Sequence, residues 1–336
     1  MSGPGPAGLG PRSQPLPGWA GISTLFGAPL ADQEAAAAGA DVVAAGVPFD
    51  ATATSRPGAA EGPEAIRRAS RVFAEWAKSL GDPEMLDMRT GDSFRYRPPR
   101  LVDAGDFAVF PTSPERQFES VRAAAAAASA NAGLFLALGG DHSITYPLFA
   151  GVSDSLGARD PDARLAYVHV DHHFDFGDTS AVHGSLYHGS NTRRISELPG
   201  MGLDRVAFVG AGDVTRRAQL ESLRAEGALV VSAGEVRRAG PAAALQPVLE
   251  RLAAAATAVY VSVDIDAVDA AGAPGTGHVT LGGLSLPELH DVLAQLTRLP
   301  VVALDLVEVA PRYDASGRTA QAAARLLFEF LYRDRG

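Results

Sequence analysis

Short apolar runs that do not alternate with polar residues recur along this chain, at 41–49, 133–138, 164–170, 205–209, 228–232, 258–263 and 300–307. Runs of that kind suit strands buried on both faces. Stretches with helical spacing separate them, at 114–132, 143–156, 241–256, 285–299 and 319–332, with another ending at Glu226. The first helix begins at Pro63 and carries Ile66, Ala69, Phe73 and Trp76 on one face. Strands and helices in that order predict the α/β class. The expected architecture is a three-layer α/β/α sandwich with a mainly parallel central sheet. Residues 81–114 hold many turn formers and one short strand near Leu101 and Val102. Residues 1–20 are rich in Gly and Pro and read as a flexible tail. No repeat or linker follows, so 21–336 reads as a single domain.

Several of these runs break off into acids and imidazoles. After 164–170 comes Asp171-His-His173-Phe-Asp175. In an extended chain, residues i, i+2 and i+4 share a face, which selects Asp171, His173 and Asp175. After 133–138 comes Gly139-Gly-Asp141-His142-Ser143. There the glycines allow a tight turn or a close backbone approach, and Asp141 or Ser143 could simply cap the next helix. After 258–263 comes Asp264-Ile-Asp266, and the last run carries Asp305 and leads into Glu308. Two like charges about 4 Å apart repel by roughly 4 kcal/mol at an effective dielectric near 20. A purely structural Asp264/Asp266 pair would need arginines close by, and the local sequence has none.

Asp171, Asp175, Asp264 and Asp266 sum to four negative charges, which two divalent cations would balance. His142 and His173 add neutral nitrogen ligands. Carboxylate-rich ligation without thiolates favours manganese over zinc, and two bridged cations make water nucleophilic at neutral pH. The chain has no cysteine, which excludes disulfides, zinc–thiolate sites and thiol nucleophiles. Its net charge is −10 with no basic block, which argues against nucleic acid or an anionic membrane as a partner. It is compatible with a small cationic substrate. The N-terminus lacks a signal-peptide pattern, and the alanine-rich stretch 122–138 is too weakly apolar for a membrane span. A cytoplasmic protein is expected.

Four ordered motifs resemble the ureohydrolase family of arginases, agmatinases and guanidino-acid hydrolases. They are Gly-Gly-Asp-His142-Ser, Asp171-His-His173-Phe-Asp175, Ser262-Val-Asp264-Ile-Asp266 and Glu308-Val-Ala-Pro. Gly46-Val-Pro-Phe-Asp50, Arg56-Pro-Gly-Ala and His188-Gly-Ser-Asn-Thr-Arg-Arg194 are similar to agmatinase signatures in particular. The resemblance implies two Mn²⁺ per subunit. One would be held by His142 and Asp175 and the other by His173 and Asp266, with Asp171 and Asp264 bridging. It implies that Asp175 handles the proton of the attacking hydroxide. Glu308 would pair with the guanidinium, and His188, favoured over nearby His183, would shuttle protons or position substrate. It also implies a homo-oligomer, a trimer or hexamer.

The sequence departs from the family at His172, Ala270 and His278, and its Gly210-Ala-Gly-Asp213 turn lacks the usual arginine; none of these is a predicted ligand. His278, Asp213 and Asn191 are expected at the pocket for the substrate tail. Agmatine is the first candidate substrate, giving urea and an amine, and a guanidino acid such as guanidinobutyrate is the second. An acid tail needs a cation in that pocket; an amine tail needs an acid or open water. Two other classes compete: an amide deacetylase using one zinc without His142, and a non-catalytic homologue.

Overall fold

The computed structural model describes residues 22–30, 39–212 and 214–334. The expected tail, 1–20, lies outside them, as does Asp213. The strands are β1 (Val42–Gly46), β2 (Met85–Leu86), β3 (Ser93–Tyr96), β4 (Leu101–Asp106), β5 (Leu134–Leu138), β6 (Leu165–Val170), β7 (Val206–Ala211), β8 (Leu229–Ser232), β9 (Ala258–Asp264), β10 (Val301–Val307) and β11 (Arg333–Asp334). Eight of them form one sheet in the order β4-β1-β5-β10-β9-β6-β7-β8, and every neighbouring pair is parallel.

Both faces of that sheet are covered, which is why its strands show no polar alternation. In β6 all six residues are buried. Ala166, Val168 and Val170 join one core cluster, and Leu165 and Tyr167 join the other. The first cluster packs under the helices Gly62–Leu80, Ala233–Ala239, Pro241–Ala255, Leu286–Leu296 and Arg318–Tyr332. The second packs under Pro114–Ser129, Thr145–Arg159, Asn191–Ser196 and Arg217–Ala225. This is the expected α/β/α sandwich. The predicted face of the first helix turns inward, with Ile66 fully buried and Ala69, Phe73 and Trp76 packed against the same core.

Some elements fall outside the sequence expectation. β11, β3 and β2 make a small antiparallel sheet that ties the chain's end back to residues 85–96. These strands are two to four residues long, too short for a period of two to register. Tyr96 anchors them, with its ring centroid 5.0 Å from that of Phe328 in the last helix. The helices Ala233–Ala239 and Asn191–Ser196 are also additional. No helix among the described residues is long and apolar enough to cross a membrane. Parallel strands place their carboxyl ends on one rim, where open α/β sheets bind ligands. Four sheet neighbours, β5, β10, β9 and β6, deliver the predicted clusters to that rim.

Candidate metal centre

Three of these strands end with the same local device. Asp141 Oδ1 accepts the N–H of Ser143, Asp171 Oδ1 that of His173, and Asp264 Oδ1 that of Asp266. Each aspartate thus folds the backbone back on itself two residues on. The carboxylates therefore converge for a different reason from the extended-chain argument. β6 stops at Val170 and β9 at Asp264, and turns rather than strand pleat bring the next ligands inward. Asp175 completes its turn with φ 45°, and Glu308 follows β10 with φ 64°. Both are rare conformations for a side-chain-bearing residue, costing about 1–3 kcal/mol each. The glycine pair serves close approach. A Cβ on Gly140 would collide with the Phe49 carbonyl, and one on Gly139 with Val307.

The six predicted ligands come together in two groups. His142 Nδ1 lies 3.1 Å from Asp171 Oδ2, 3.2 Å from Asp175 Oδ2 and 3.0 Å from Asp264 Oδ2. His173 Nδ1 lies 3.2 Å from Asp171 Oδ1 and 3.3 Å from Asp266 Oδ2. Asp171 therefore spans both groups, with one oxygen in each. Asp264 reaches the first group through Oδ2, while its Oδ1 is taken by the Asp266 N–H. His142 is oriented from behind. Ser262 Oγ donates to Asp305 Oδ1 at 2.6 Å and so accepts from His142 Nε2 at 2.9 Å, leaving the Nδ1 lone pair toward the carboxylates. Asp141 and His142 thus satisfy both sequence readings at once: the aspartate caps the turn, and the histidine reaches the centre.

The chemistry of this donor set fits two divalent cations. Asp171, Asp264 and Asp266 are buried to within a few per cent. Among the described residues no arginine pairs with any of the four carboxylates. Asp171 Oδ2 and Asp266 Oδ1 are buried without an aligned hydrogen bond. Burial first, and then the charge of Asp171, pushes Asp264 up to about 7. Burial, with Asp264 and Asp171, raises Asp266 well above the usual carboxylate range. For the histidines, burial works downward and is outweighed. Asp171 and Asp266 lift His173 to about 12, and Asp171, Asp175 and Asp264 lift His142 well above its ordinary value. Carboxylates packed this closely hold protons unless another cation shares the cluster, which is the electrostatic setting that divalent cations suit.

Glu308 stands beside the centre and is 5% exposed. Its Oε1 accepts the His142 N–H at 2.9 Å and contacts His188 Nδ1 at 3.0 Å. Oε2 makes no hydrogen bond among the described residues and is the oxygen left for a ligand. On the far side of His188, Nε2 accepts the backbone N–H of Thr54 at 3.1 Å and lies 2.7 Å from its hydroxyl. A backbone N–H only donates, so in this arrangement the ring proton sits on Nδ1, facing Glu308. Burial lowers the His188 pKa, but Glu308 outweighs it and draws the group up to about 9; the Thr54 N–H opposes that second proton. His183 lies in the Ser180–Gly184 turn and makes no hydrogen bond or ion pair with the centre.

Of the residues expected at the tail pocket, exposed His278 lies against His173, ring centroids 4.5 Å apart. Asn191 needs correcting. It is 1% exposed, and its amide donates to Asp175 Oδ2 and to the His188 carbonyl, both at 2.9 Å. Both amide protons are spent on these contacts, so it has no donor left for a substrate tail. Sequence reading missed Thr54, Ser262 and His169 as parts of the site. His169 and Ser262 carried a signal, each being two residues before an aspartate, Asp171 or Asp264, on the same strand face; Thr54 carried none.

Residues 40–332 match the protein family described as the arginase family. A mitochondrial agmatinase from Gallus gallus is 33% identical over 316 residues, 93% of this chain and 85% of that protein. A mitochondrial guanidino acid hydrolase from Homo sapiens is 32% identical, covering 87% of this chain and 78% of that one. Among solved structures, the proclavaminate amidino hydrolase from Streptomyces clavuligerus superposes with a TM-score of 0.78 at 30% identity, over 94% of this chain and 98% of that one.

Proposed function

This chain belongs to the arginase family of hydrolases, and from that premise we propose that it cleaves the C–N bond of a guanidino compound with two Mn²⁺ ions. Water adds to the guanidinium carbon, and urea and a protonated amine leave, so atoms and charge balance. The observation that carries this reading is the pairing of six convergent ligands with an unspent Glu308 oxygen beside them. His142, Asp171, Asp175 and Asp264 would hold one ion, and Asp171, His173 and Asp266 the other. When bound, the ions supply Lewis acidity and bring the pKa of water from 15.7 toward about 7. Manganese suits a donor set of carboxylates and imidazoles without sulfur.

The protein's own groups do the rest. Glu308 Oε2 receives a guanidinium N–H in a charge-assisted contact. Because Oε1 already serves His142 and His188, that contact is made through one oxygen. Asp175 Oδ2 sits between His142 and the Asn191 amide. It is the carboxylate placed to take a proton from the attacking water and pass it to the departing nitrogen. His188, fixed by Glu308 and Thr54, faces the same space and orients the substrate or relays a proton.

Agmatine is the first candidate and a guanidino acid the second, in line with the names of the relatives. Manganese-loaded protein incubated with each, and assayed for urea, tests the reading; no urea from any guanidino compound ends it. The assembly we expect is a trimer or hexamer, which light scattering in solution decides.

A further inference from the structure

His169 is fully buried on β6, and no part of the mechanism above uses it. Its Nε2 lies 3.0 Å from Asp171 Oδ2, the oxygen that Asp171 turns toward His142. Its ring stacks on that of His142, with centroids 4.8 Å apart and planes 17° from parallel. Behind the ring, Tyr167 Oη lies 3.0 Å and Thr192 Oγ1 3.3 Å from Nδ1. Both hydroxyls also lie 3.3 Å from Asn191 Oδ1. Both hydroxyls are oriented to donate to Asn191 Oδ1, and the nearer one, Tyr167, can donate to Nδ1 instead. In that tautomer the His169 proton sits on Nε2, facing Asp171.

We propose that His169 is the positioning residue for the bridging carboxylate, and that Tyr167, Thr192 and Asn191 tie it into one buried network with Asp175. One end of the network sets Asp171 through His169. The other sets Asp175 through the Asn191 amide. The 3.0 Å approach is not an aligned hydrogen bond, and neither Nε2 nor Oδ2 makes one elsewhere among the described residues. An imidazole N–H held against a ligating carboxylate fixes its rotation and its basicity. The flat stack on His142 limits that ring as well, so one side chain constrains two ligands of the same ion. In the tautomer with the proton on Nε2, His169 does not ligate; the opposite tautomer would put its lone pair among His142, Asp171 and Asp175, so the test must separate the two.

This inference rests on the two-cation reading, and metal binding tests it without any substrate. Mn²⁺ is titrated into metal-free full-length protein, with stoichiometry and Kd read by calorimetry and by manganese electron paramagnetic resonance. Wild type binding two ions supports the shared premise; fewer than two removes the premise and this inference together. His169→Ala is expected to weaken binding roughly 10- to 100-fold while two ions still bind at saturation. His169→Gln, which keeps an N–H donor, is expected to recover most of the loss. Thr192→Val keeps the backbone N–H that meets the Asp175 carbonyl and removes only the hydroxyl beside His169 and Asn191, so it is expected to weaken binding by a smaller factor. Circular dichroism and melting of the metal-free proteins check that each variant folds. If His169→Ala does not fold, the Gln and Val variants carry the test. Unchanged Kd in the folded variants overturns the proposal and leaves the two-cation reading standing. Loss of one ion in His169→Gln, or a third directly bound histidine nitrogen in wild-type Co²⁺ spectra, overturns it in favour of direct ligation.

Discussion

Glu308 shows how much one side chain is asked to do. Its backbone sits at φ 64°, its Oε1 fixes His142 and His188, and its Oε2 makes no hydrogen bond among the described residues. Glu308→Gln keeps the shape and removes the charge. A hydrogen bond to a charged group contributes about 1.5–3 kcal/mol. The variant should therefore lose about one to two orders of magnitude in kcat/KM. Steady-state urea release measures this, and a change below about threefold would take Glu308 out of the guanidinium contact. The six residues of the cluster were legible because each stands within a few residues of the end of an apolar run, a place where a bare charge needs a reason. Asn191 and Thr54 were not legible in those roles. Asn191 lies in a short helix and reaches back 16 residues to Asp175, and Thr54 reaches across 134 residues to His188. No local pattern encodes either reach.

At the scale of elements, two joints stand out. Arg67, on the first helix, donates through Nε and Nη2 to both oxygens of Asp103 at 2.9 Å, and reaches Asp106 beyond β4's core-facing residues. Asp103 is fully buried and Arg67 is 6% exposed. Arg67→Ala would strand a buried carboxylate, at a cost of about 3–5 kcal/mol, measurable by urea denaturation. Arg67→Met with Asp103→Leu should recover most of that loss. The second joint starts the last helix. Asp314 accepts from Ser316 through Oδ1 and from the N–H and hydroxyl of Thr319 through Oδ2. Burial pushes its pKa up, but these donors outweigh burial and bring it from 3.8 to about 2. A depressed carboxylate stabilises the fold above its unfolded pKa, and the effect is lost as pH falls through the folded value. Asp314→Asn should thus cost about 1.5 kcal/mol or more near neutrality. The gap to wild type should shrink below about pH 4 and close near pH 2. An undiminished gap in acid would assign the effect to packing. The helix itself was predicted from its apolar spacing to within a residue, but the small sheet beneath it was not. Strands of two to four residues are made by their neighbours and have no period of their own.

Across the whole molecule, the chain delivers the site in an order unlike the order of its sheet. His142, Asp171, Asp264 and Glu308 follow β5, β6, β9 and β10, yet the sheet runs β5-β10-β9-β6. The strand count and the parallel hand could be read from the apolar runs and the helices between them, but not this permutation; that depends on which helices cover which face. The consequence is energetic. Four adjacent strands all lead into buried carboxylates, which concentrates like charge at the middle of the sheet. Ions that bind the native state and not the unfolded chain stabilise by RT ln(1 + [L]/Kd), about 2.7 kcal/mol per site at a hundredfold excess over Kd. Two sites in series should raise the melting temperature by several degrees or more. Stripping with a chelator should reverse the rise, and Asp171→Asn, which alters the ligand common to both groups, should blunt it. Scanning calorimetry of metal-free, Mn²⁺-saturated and chelated protein reads all three. Because the four carboxylates sit at the ends of central strands, the stabilisation should appear as a shift of the entire unfolding transition. A melting temperature indifferent to Mn²⁺ and chelator would mean the carboxylates are compensated by protons alone, and the two-ion reading would fall.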